Sequence, residues 1–130
     1  LIYSKKPMSI LYDINWKNLW KKRFKRPLDD AETFKIRKNK KILEIGKKTK
    51  KFKDIQGQYM GMMKFKPNTW KKFKKIVLKK FSKNINNIYL TDAIQCVIED
   101  RNIPIFGIKY ENKWMEIDNL KDYKILKNSF

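Results

Sequence analysis

The clearest hydrophobic pattern in the chain lies in the stretch PNTWKKFKKIVLKKF. Its apolar side chains recur at helical spacing and fall on one stripe: Trp70, Phe73, Val77, Leu78 and Phe81. The lysines between them fall on the opposite side, as the 3.6-residue period of an α-helix requires. The pattern therefore predicts an amphipathic helix that packs its apolar stripe on a core and turns its lysines to solvent.

Three other stretches have a helical period. In NWKNLWKKRF the apolar residues share one face, Asn15 is placed as the N-cap, and Pro27 ends the helix. TDAIQCVIEDRN follows later in the chain, with Thr91 as its predicted N-cap. NLKDYKIL is predicted to form the last helix of the chain.

Segments with alternating or continuous apolar residues predict strands between these helices. The first covers residues 9–13, and ETFKIR and KILEIG form a hairpin that ends at Gly46, followed by the loop KKTKKFKDIQG. QYMGMMKFK has apolar residues on both faces, which predicts a central, covered strand. Gly61 within it indicates a bulge or the close approach of another group. IPIFGIKY and WMEID complete the predicted strands.

The order of these elements predicts the fold class. Strands and helices are interleaved along the chain, and the amphipathic helices can cover both faces of a sheet. This arrangement is typical of an α/β layered protein with a mixed sheet. No internal repeat or low-complexity linker divides the 130 residues, so a single domain over residues 1–130 is expected.

The excess of basic residues adds a possible binding function to this predicted fold. Lys and Arg number 33 against 13 Asp and Glu, a net charge of +20, which favours a polyanionic partner. The lysine face around Lys71, Lys74, Lys75 and Lys79 is the best candidate for a nucleic-acid-binding module. However, only four of the basic residues are Arg, the residue that base and phosphate recognition favours. Abundant Lys, Asn and Ile also indicate an AT-rich genome, so a solvated surface is the favoured interpretation of these lysines.

The residues that are missing exclude several kinds of chemistry. The chain has no His, which excludes histidine-based triads and most zinc sites. Cys96 is the single cysteine, which excludes an internal disulfide and fits a cytoplasmic protein. No apolar run is long enough to span a membrane, and no membrane partner is expected. Carboxylates and lysines remain, and these groups serve phosphoryl and nucleotidyl transfer with a divalent cation.

Asp118 is the carboxylate whose position needs an explanation. It ends the predicted strand WMEID, and a helical pattern begins directly after it. Ligands of α/β proteins bind at the ends of strands, so Asp118 is a candidate ligand of Mg²⁺. Alternatively, Asp118 or Asn119 caps the last helix. The spacing alone does not separate these two interpretations.

Five segments together resemble a known family. DAETFKI, ILEIGKK, DIQGQYMGMMKF, TDAIQ…IEDRNIPI and WMEID occur in an order similar to that of the MobA-like or LicC-like NTP transferases. These are nucleotidyltransferases of the sugar-phosphate and phosphocholine type, and the resemblance is to their carboxy-terminal half. It implies a Rossmann-like mixed sheet with flanking helices. It also implies an enzyme, of cytidylyltransferase type, that joins an NTP such as CTP to a phosphorylated alcohol, sugar or phosphonate and releases pyrophosphate.

The resemblance also implies roles for individual residues. Asp118 resembles a magnesium ligand and, with Lys47, would be catalytic. Lys47 or Lys48 would contact the phosphate of the acceptor. The GQYMG strand would line the acceptor pocket, which adds Gln58, Tyr59 and Gly61 as substrate-binding residues.

The sequence differs from the family pattern at several positions that concern nucleotide and metal binding. The glycine-rich G-x-G-x-R…P-K stretch that grips the nucleotide is not in the sequence, and the first metal-binding aspartate has no counterpart. Thr49 stands where relatives often have Pro, and residues 111–113 stand where they often have Gly-Gly. The resemblance therefore predicts the acceptor-side half of an enzyme, which would be inactive without an N-terminal half. A catalytically inactive domain that binds a partner is the remaining alternative.

Overall fold

The centre of the molecule is the strand β1, Met8–Asp13, all six residues of which are buried. The computed structural model describes residues 1–128. In it, β1 lies between β4 (Gln58–Phe65) and β5 (Ile105–Tyr110). It is antiparallel to β4 and parallel to β5. The three-stranded sheet is therefore mixed.

A separate antiparallel sheet consists of β2 (Glu32–Ile36) and β3 (Ile42–Lys48). The turn of this hairpin lies against the edge of β5, where the N–H of Gly107 donates to the carbonyl of Lys40 at 2.9 Å. The predicted hairpin is confirmed, but β3 continues for two residues beyond Gly46. This hairpin covers one side of the candidate site described below.

Four helices flank the sheets, namely α1 (Trp16–Arg23), α2 (Pro67–Phe81), α3 (Leu90–Asp100) and α4 (Leu120–Lys127). The bounds of α2 are those that its apolar stripe and the proline at its first turn predict. Helix α3 packs on β3 and on α2, and α1 packs on α4. None of the helices within residues 1–128 is both long and apolar enough to cross a membrane.

Two hydrophobic clusters hold these elements together. The larger joins both sheets to α2 and α3 through side chains that include Ile10, Phe34, Ile45, Phe73 and Ile94. The smaller consists of Trp16, Trp20, Ala31 and Ile55. Full burial of one such side chain stabilises the fold by about 1.5 to 3 kcal/mol. The predicted α/β class with a mixed sheet and flanking helices is confirmed, and it is consistent with a Rossmann-like fold.

The predicted central position of β4 is wrong, because β4 lies at the edge of its sheet. Its apolar residues on both faces have another cause. Tyr59, Met63 and Phe65 pack on the larger cluster and Met60 is also buried, whereas Met62 is exposed. The bulge expected at Gly61 is confirmed, since Gly61 has φ +76° and the pairing register with β1 shifts there.

The predicted strand WMEID is also wrong, because residues 113–118 have no regular secondary structure. No strand within residues 1–128 pairs with this segment, which is held by side-chain contacts to α1 instead. The predicted cap at Thr91 is two residues too late. Helix α3 begins at Leu90, with Tyr89 as its N-cap, and the Asp92 carboxylate accepts a hydrogen bond from the Tyr89 N–H at 2.8 Å.

Candidate active site

A cleft of about 360 Å³ lies between the β2–β3 hairpin, the start of β4 and the N-terminus of α3, and we call it the hairpin cleft. Its charged and aromatic lining residues are Trp20, Asp30, Glu32, Phe34, Lys48, Tyr59, Tyr89 and Glu116. Thr33, Gln58 and Thr91 complete its polar lining. The cleft therefore brings together three of the predicted substrate-binding residues: Lys48, Gln58 and Tyr59.

Gly46 allows β3 to pack closely against α3 at one wall of the cleft. It has φ +82°, a conformation that L-residues with side chains rarely adopt. A Cβ atom at this position would lie 2.6 Å from the Cβ of Thr91. Because Gly46 has no side chain, Thr91 packs directly on β3 and its hydroxyl reaches the carboxylate of Glu32.

Among residues 1–128, Lys48 is the only cation that lines the hairpin cleft. Its Nζ donates to the carbonyl oxygens of Asp29 and Asp30, at 3.4 and 3.3 Å. No carboxylate of the described chain forms an ion pair with Lys48. The positive charge of Lys48 is therefore available to a negatively charged ligand in the cleft.

Two carboxyl groups in the cleft have raised pKa values. Burial raises the pKa of Glu32, although the hydrogen bond from Thr91 and the charge of Lys48 oppose this shift. Burial also raises the pKa of Glu116, and the negative charge of Asp118 adds to the effect. Burial therefore makes ionisation of Glu32 and Glu116 less favourable than it is for a solvated carboxyl.

Gln58 and Tyr59 occupy the floor of the cleft in different ways. The amide of Gln58 donates to the Glu32 carbonyl at 2.7 Å, and its oxygen accepts from the Glu32 N–H at 3.4 Å, so this side chain ties β4 to β2. The Tyr59 hydroxyl is buried without a hydrogen-bond partner in residues 1–128, and burial raises the pKa of Tyr59 to about 12. Tyr59 is therefore a neutral phenol with an unused donor.

Beside the cleft, four residues form a group that we call the Arg23 cluster: Arg23, Glu116, Asp118 and Asp122. The guanidinium of Arg23 is 2% exposed and donates to both oxygens of Asp122 at 3.0 Å. It also donates to Asp118 Oδ2 at 2.5 Å and lies 3.6 Å from Glu116. Arg23 thus fixes the irregular segment 113–118 to α1 and neutralises part of its charge.

Asn119, and not Asp118, caps the last helix, and the metal-binding role of Asp118 stays a prediction. The cap of α4 is Asn119, whose side chain accepts a hydrogen bond from the Asp122 N–H at 3.0 Å. Asp118 is 58% exposed, and only its Oδ2 has a partner within residues 1–128. Its Oδ1 remains available. The Arg23 cluster lies next to the hairpin cleft, since its member Glu116 lines the cleft and also contacts Arg23.

The structure does not by itself assemble a metal site. Within residues 1–128, no three His, Cys, Asp or Glu side chains are placed to hold a metal ion together. Mg²⁺, however, is commonly bound by one or two carboxylates, with water and substrate phosphates as the other ligands. One exposed carboxylate oxygen at Asp118 is compatible with that mode of binding.

Lys47 and Gly61 lie outside the hairpin cleft. The Nζ of Lys47 is 3.5 Å from Glu44 and 3.6 Å from Glu99, on the side of β3 that faces α3. Consecutive residues of a strand point to opposite faces, which explains why Lys47 and Lys48 diverge. Gly61 is exposed in its bulge on β4.

Several residues of the site did not stand out in the sequence. Asp30 and Glu32 belong to no recognisable catalytic motif in the sequence, and Trp20 lies on the apolar face of a helical pattern. Arg23 carried a usable signal, since it is one of only four arginines among 33 basic residues. An arginine retained in a lysine-rich chain indicates a bidentate contact that lysine cannot make.

Comparison with known proteins gives one informative match. The chain is 34% identical over 131 aligned positions to a CTP:phosphoglutamine cytidylyltransferase of Campylobacter jejuni subsp. jejuni serotype O:2. The match covers 96% of this chain and 51% of the relative, so the chain spans about half the length of that protein. No protein-family model matches the chain. The similarity to a cytidylyltransferase supports the resemblance to nucleotidyltransferases.

Proposed function

We propose that this chain forms the acceptor side of a nucleotidyltransferase of the cytidylyltransferase type. The observation that carries the proposal is the similarity, along nearly the whole chain, to a protein named as a CTP-dependent cytidylyltransferase. The hairpin cleft is the proposed binding site of the acceptor. A nucleotide-binding half, which the sequence lacks, would come from another segment or chain.

The cleft fits a small phosphorylated acceptor. Its volume of about 360 Å³ is near the lower end of the range for small-molecule pockets. Lys48 provides the point charge that a phosphate needs, and the neutral Tyr59 hydroxyl provides a further donor. We propose CTP as the nucleotide and a phosphorylated alcohol, amide, sugar or phosphonate as the acceptor.

The proposed reaction places modest demands on the protein. An oxygen of the acceptor phosphate attacks the α-phosphorus of the NTP and forms a new P–O bond. The bond from the α-phosphorus to the bridging oxygen of the β-phosphate breaks, and pyrophosphate leaves with its electron pair. Because the attacking phosphate is already an anion, no general base is required, which is consistent with a chain without His.

Two residues would have distinct roles in this step. Lys48 would hold the acceptor phosphate and offset the charge that accumulates as two phosphate groups approach. Asp118 would hold Mg²⁺ through the oxygen that Arg23 leaves available. When bound, the metal would supply charge neutralisation for the triphosphate. Lys47, paired with Glu44 and Glu99, is less well placed than Lys48 to contact the acceptor.

The proposal is tested by comparing Lys48→Ala with Lys47→Ala in the protein that carries this chain. The assay is pyrophosphate release from CTP with a panel of phosphorylated acceptors. Loss of a charge-assisted contact costs about 1.5 to 3 kcal/mol, so Lys48→Ala is expected to raise the KM for the acceptor about 10- to 100-fold. Lys47→Ala is the matched control, with the same loss of charge one residue away.

Asp118→Asn completes the test. It should remove activity while the folded structure, followed by circular dichroism, is retained. Normal acceptor KM in Lys48→Ala would reject the cleft as the acceptor site. Normal turnover in Asp118→Asn would reject the metal-binding role.

A further inference from the structure

The outer side of α2 has an unbalanced charge. We call Lys71, Lys72, Lys74, Lys75 and Lys79 the lysine face, and all five are exposed. Helix α2 contains no acidic residue. None of the ion pairs formed within residues 1–128 involves a lysine of α2.

This arrangement is unfavourable for an isolated helix. Lys71, Lys75 and Lys79 follow one another at a spacing of four residues, so each repels the next across one turn. Other lysines of the chain have partners, as Lys35 and Lys47 do with Glu44. The repulsion on α2 would be relieved by a surface that carries negative charge.

A row of apolar side chains runs beside these lysines. Trp70, Lys74 and Leu78 are spaced by four residues and therefore form the neighbouring row on the helix. Trp70 is 43% exposed and Leu78 is 52% exposed, although the buried side of the helix already packs on the core. The Nζ of Lys74 lies over the Trp70 ring, 5.3 Å from its centroid. The outer side of α2 thus combines cations with uncovered apolar groups.

We propose that this side of α2 binds the surface of an anionic lipid membrane. Indole rings favour the headgroup region of a bilayer, and Lys side chains are attracted to anionic headgroups. Leu78, in the middle of the lysines, would enter the boundary between headgroups and acyl chains. The lipid is recognised through charge and apolar insertion, without geometry specific to one headgroup.

Nucleic acid explains the same surface less well. The ring of Trp70 is stacked on Phe73 at an interplanar angle of 17° and lies under Lys74, so stacking of a base would first displace one of these neighbours. Helix α2 has no Arg. An exposed Leu78 also has no role on a phosphate backbone.

The experiment measures binding of the chain to phosphatidylcholine vesicles with and without phosphatidylglycerol, by co-sedimentation and by Trp fluorescence. Binding is expected only to the anionic vesicles and should weaken as salt rises. The triple variant Lys71→Gln/Lys75→Gln/Lys79→Gln should bind about a hundredfold more weakly, since each lysine contributes about fivefold. Leu78→Gln should weaken binding and raise its salt sensitivity.

The control variant is Lys50→Gln/Lys51→Gln/Lys53→Gln, which removes the same charge from exposed positions in the loop after β3. Equal losses in the control and α2 variants would overturn the proposal in favour of non-specific charge. Equal binding to neutral and anionic vesicles would also overturn it. If single-stranded RNA binds more tightly than the vesicles and Leu78→Gln has no effect, the surface is a nucleic-acid site and the proposal fails.

Discussion

The Arg23 cluster and the lysine face of α2 use positive charge in opposite ways. In the first, one guanidinium is 2% exposed and contacts three carboxylates. In the second, five ammonium groups are exposed and form no ion pair within residues 1–128. The basic residues that give the chain its net charge of +20 therefore differ in role: Arg23 holds parts of the fold together, whereas the lysines of α2 do not.

This difference follows from the environment of each charge. A buried charge must be paired, because desolvation without a partner costs several kcal/mol. An exposed charge is solvated and screened, and it contributes little to stability. Arg23 is thus expected to be indispensable for folding, whereas the lysines of α2 are free to serve a binding function.

The largest expected effect is that of Arg23→Met. Removing the guanidinium leaves Asp122 buried without its partner, so the free energy of unfolding should fall by about 3 to 5 kcal/mol. Urea denaturation followed by circular dichroism measures the change. Arg26→Met is the matched control, because Arg26 pairs with Asp29 at the surface and its loss should cost no more than about 1 kcal/mol. Equal effects of the two variants would remove the distinction between the two regions.

A smaller, pH-dependent effect is expected at Asp122. The hydrogen bonds from Arg23 hold the pKa of this carboxyl below its ordinary value. A lowered folded-state pKa contributes stability above the unfolded pKa of about 3.9, and this contribution is lost as the pH falls through the folded pKa. Asp122→Asn should therefore lower the free energy of unfolding by about 2 kcal/mol at neutral pH.

The difference between the native chain and Asp122→Asn should begin to shrink below about pH 4, where the carboxyl of the unfolded chain becomes protonated, and should disappear once the pH falls below the lowered folded-state pKa. Urea denaturation at a series of pH values measures it. A difference that stays constant with pH would show that packing of the Asp122 side chain, and not its charge, accounts for the loss.

The smallest expected effect has the opposite sign. Lys75→Glu places an acid between Lys71 and Lys79 at i,i+4 spacing, which replaces two repulsions with two attractions. The free energy of unfolding should rise by about 0.5 to 1 kcal/mol. Thermal unfolding at low salt measures the gain, and high salt should reduce it. A loss of stability would mean that Lys75 has a structural role like that of Arg23.

The helices and most strands were predictable because their evidence is local. Helix α2 has the predicted bounds, and Phe73 and Val77 are buried as its apolar stripe predicts. Trp70 and Leu78, which the prediction also placed on the core, are 43% and 52% exposed, because the core covers only one side of the stripe. The hairpin and the bulge at Gly61 were also signalled by neighbouring residues. Alternation and periodicity depend only on which side of an element is buried.

The errors concern features that depend on distant parts of the chain. The edge position of β4 follows from which strands flank β1, and apolar residues on both faces do not determine it. Residues 113–118 are held by Arg23, which precedes them by about 90 residues, and so their alternation did not produce a strand. The sequence favoured Lys47 because it follows Gly46, whereas the direction of Lys47 and Lys48 depends on the pairing of β3.

The sequence by itself determined the alternation of helices and strands, the absence of histidine chemistry, and the excess of lysine. It determined these because propensity, periodicity and composition are properties of the chain. The tertiary structure alone decided that Lys48 enters the hairpin cleft, that Asn119 caps α4, and that Arg23 gathers three carboxylates. These outcomes depend on burial and on contacts between residues far apart in the chain, where the cost of an unpaired charge selects its partners.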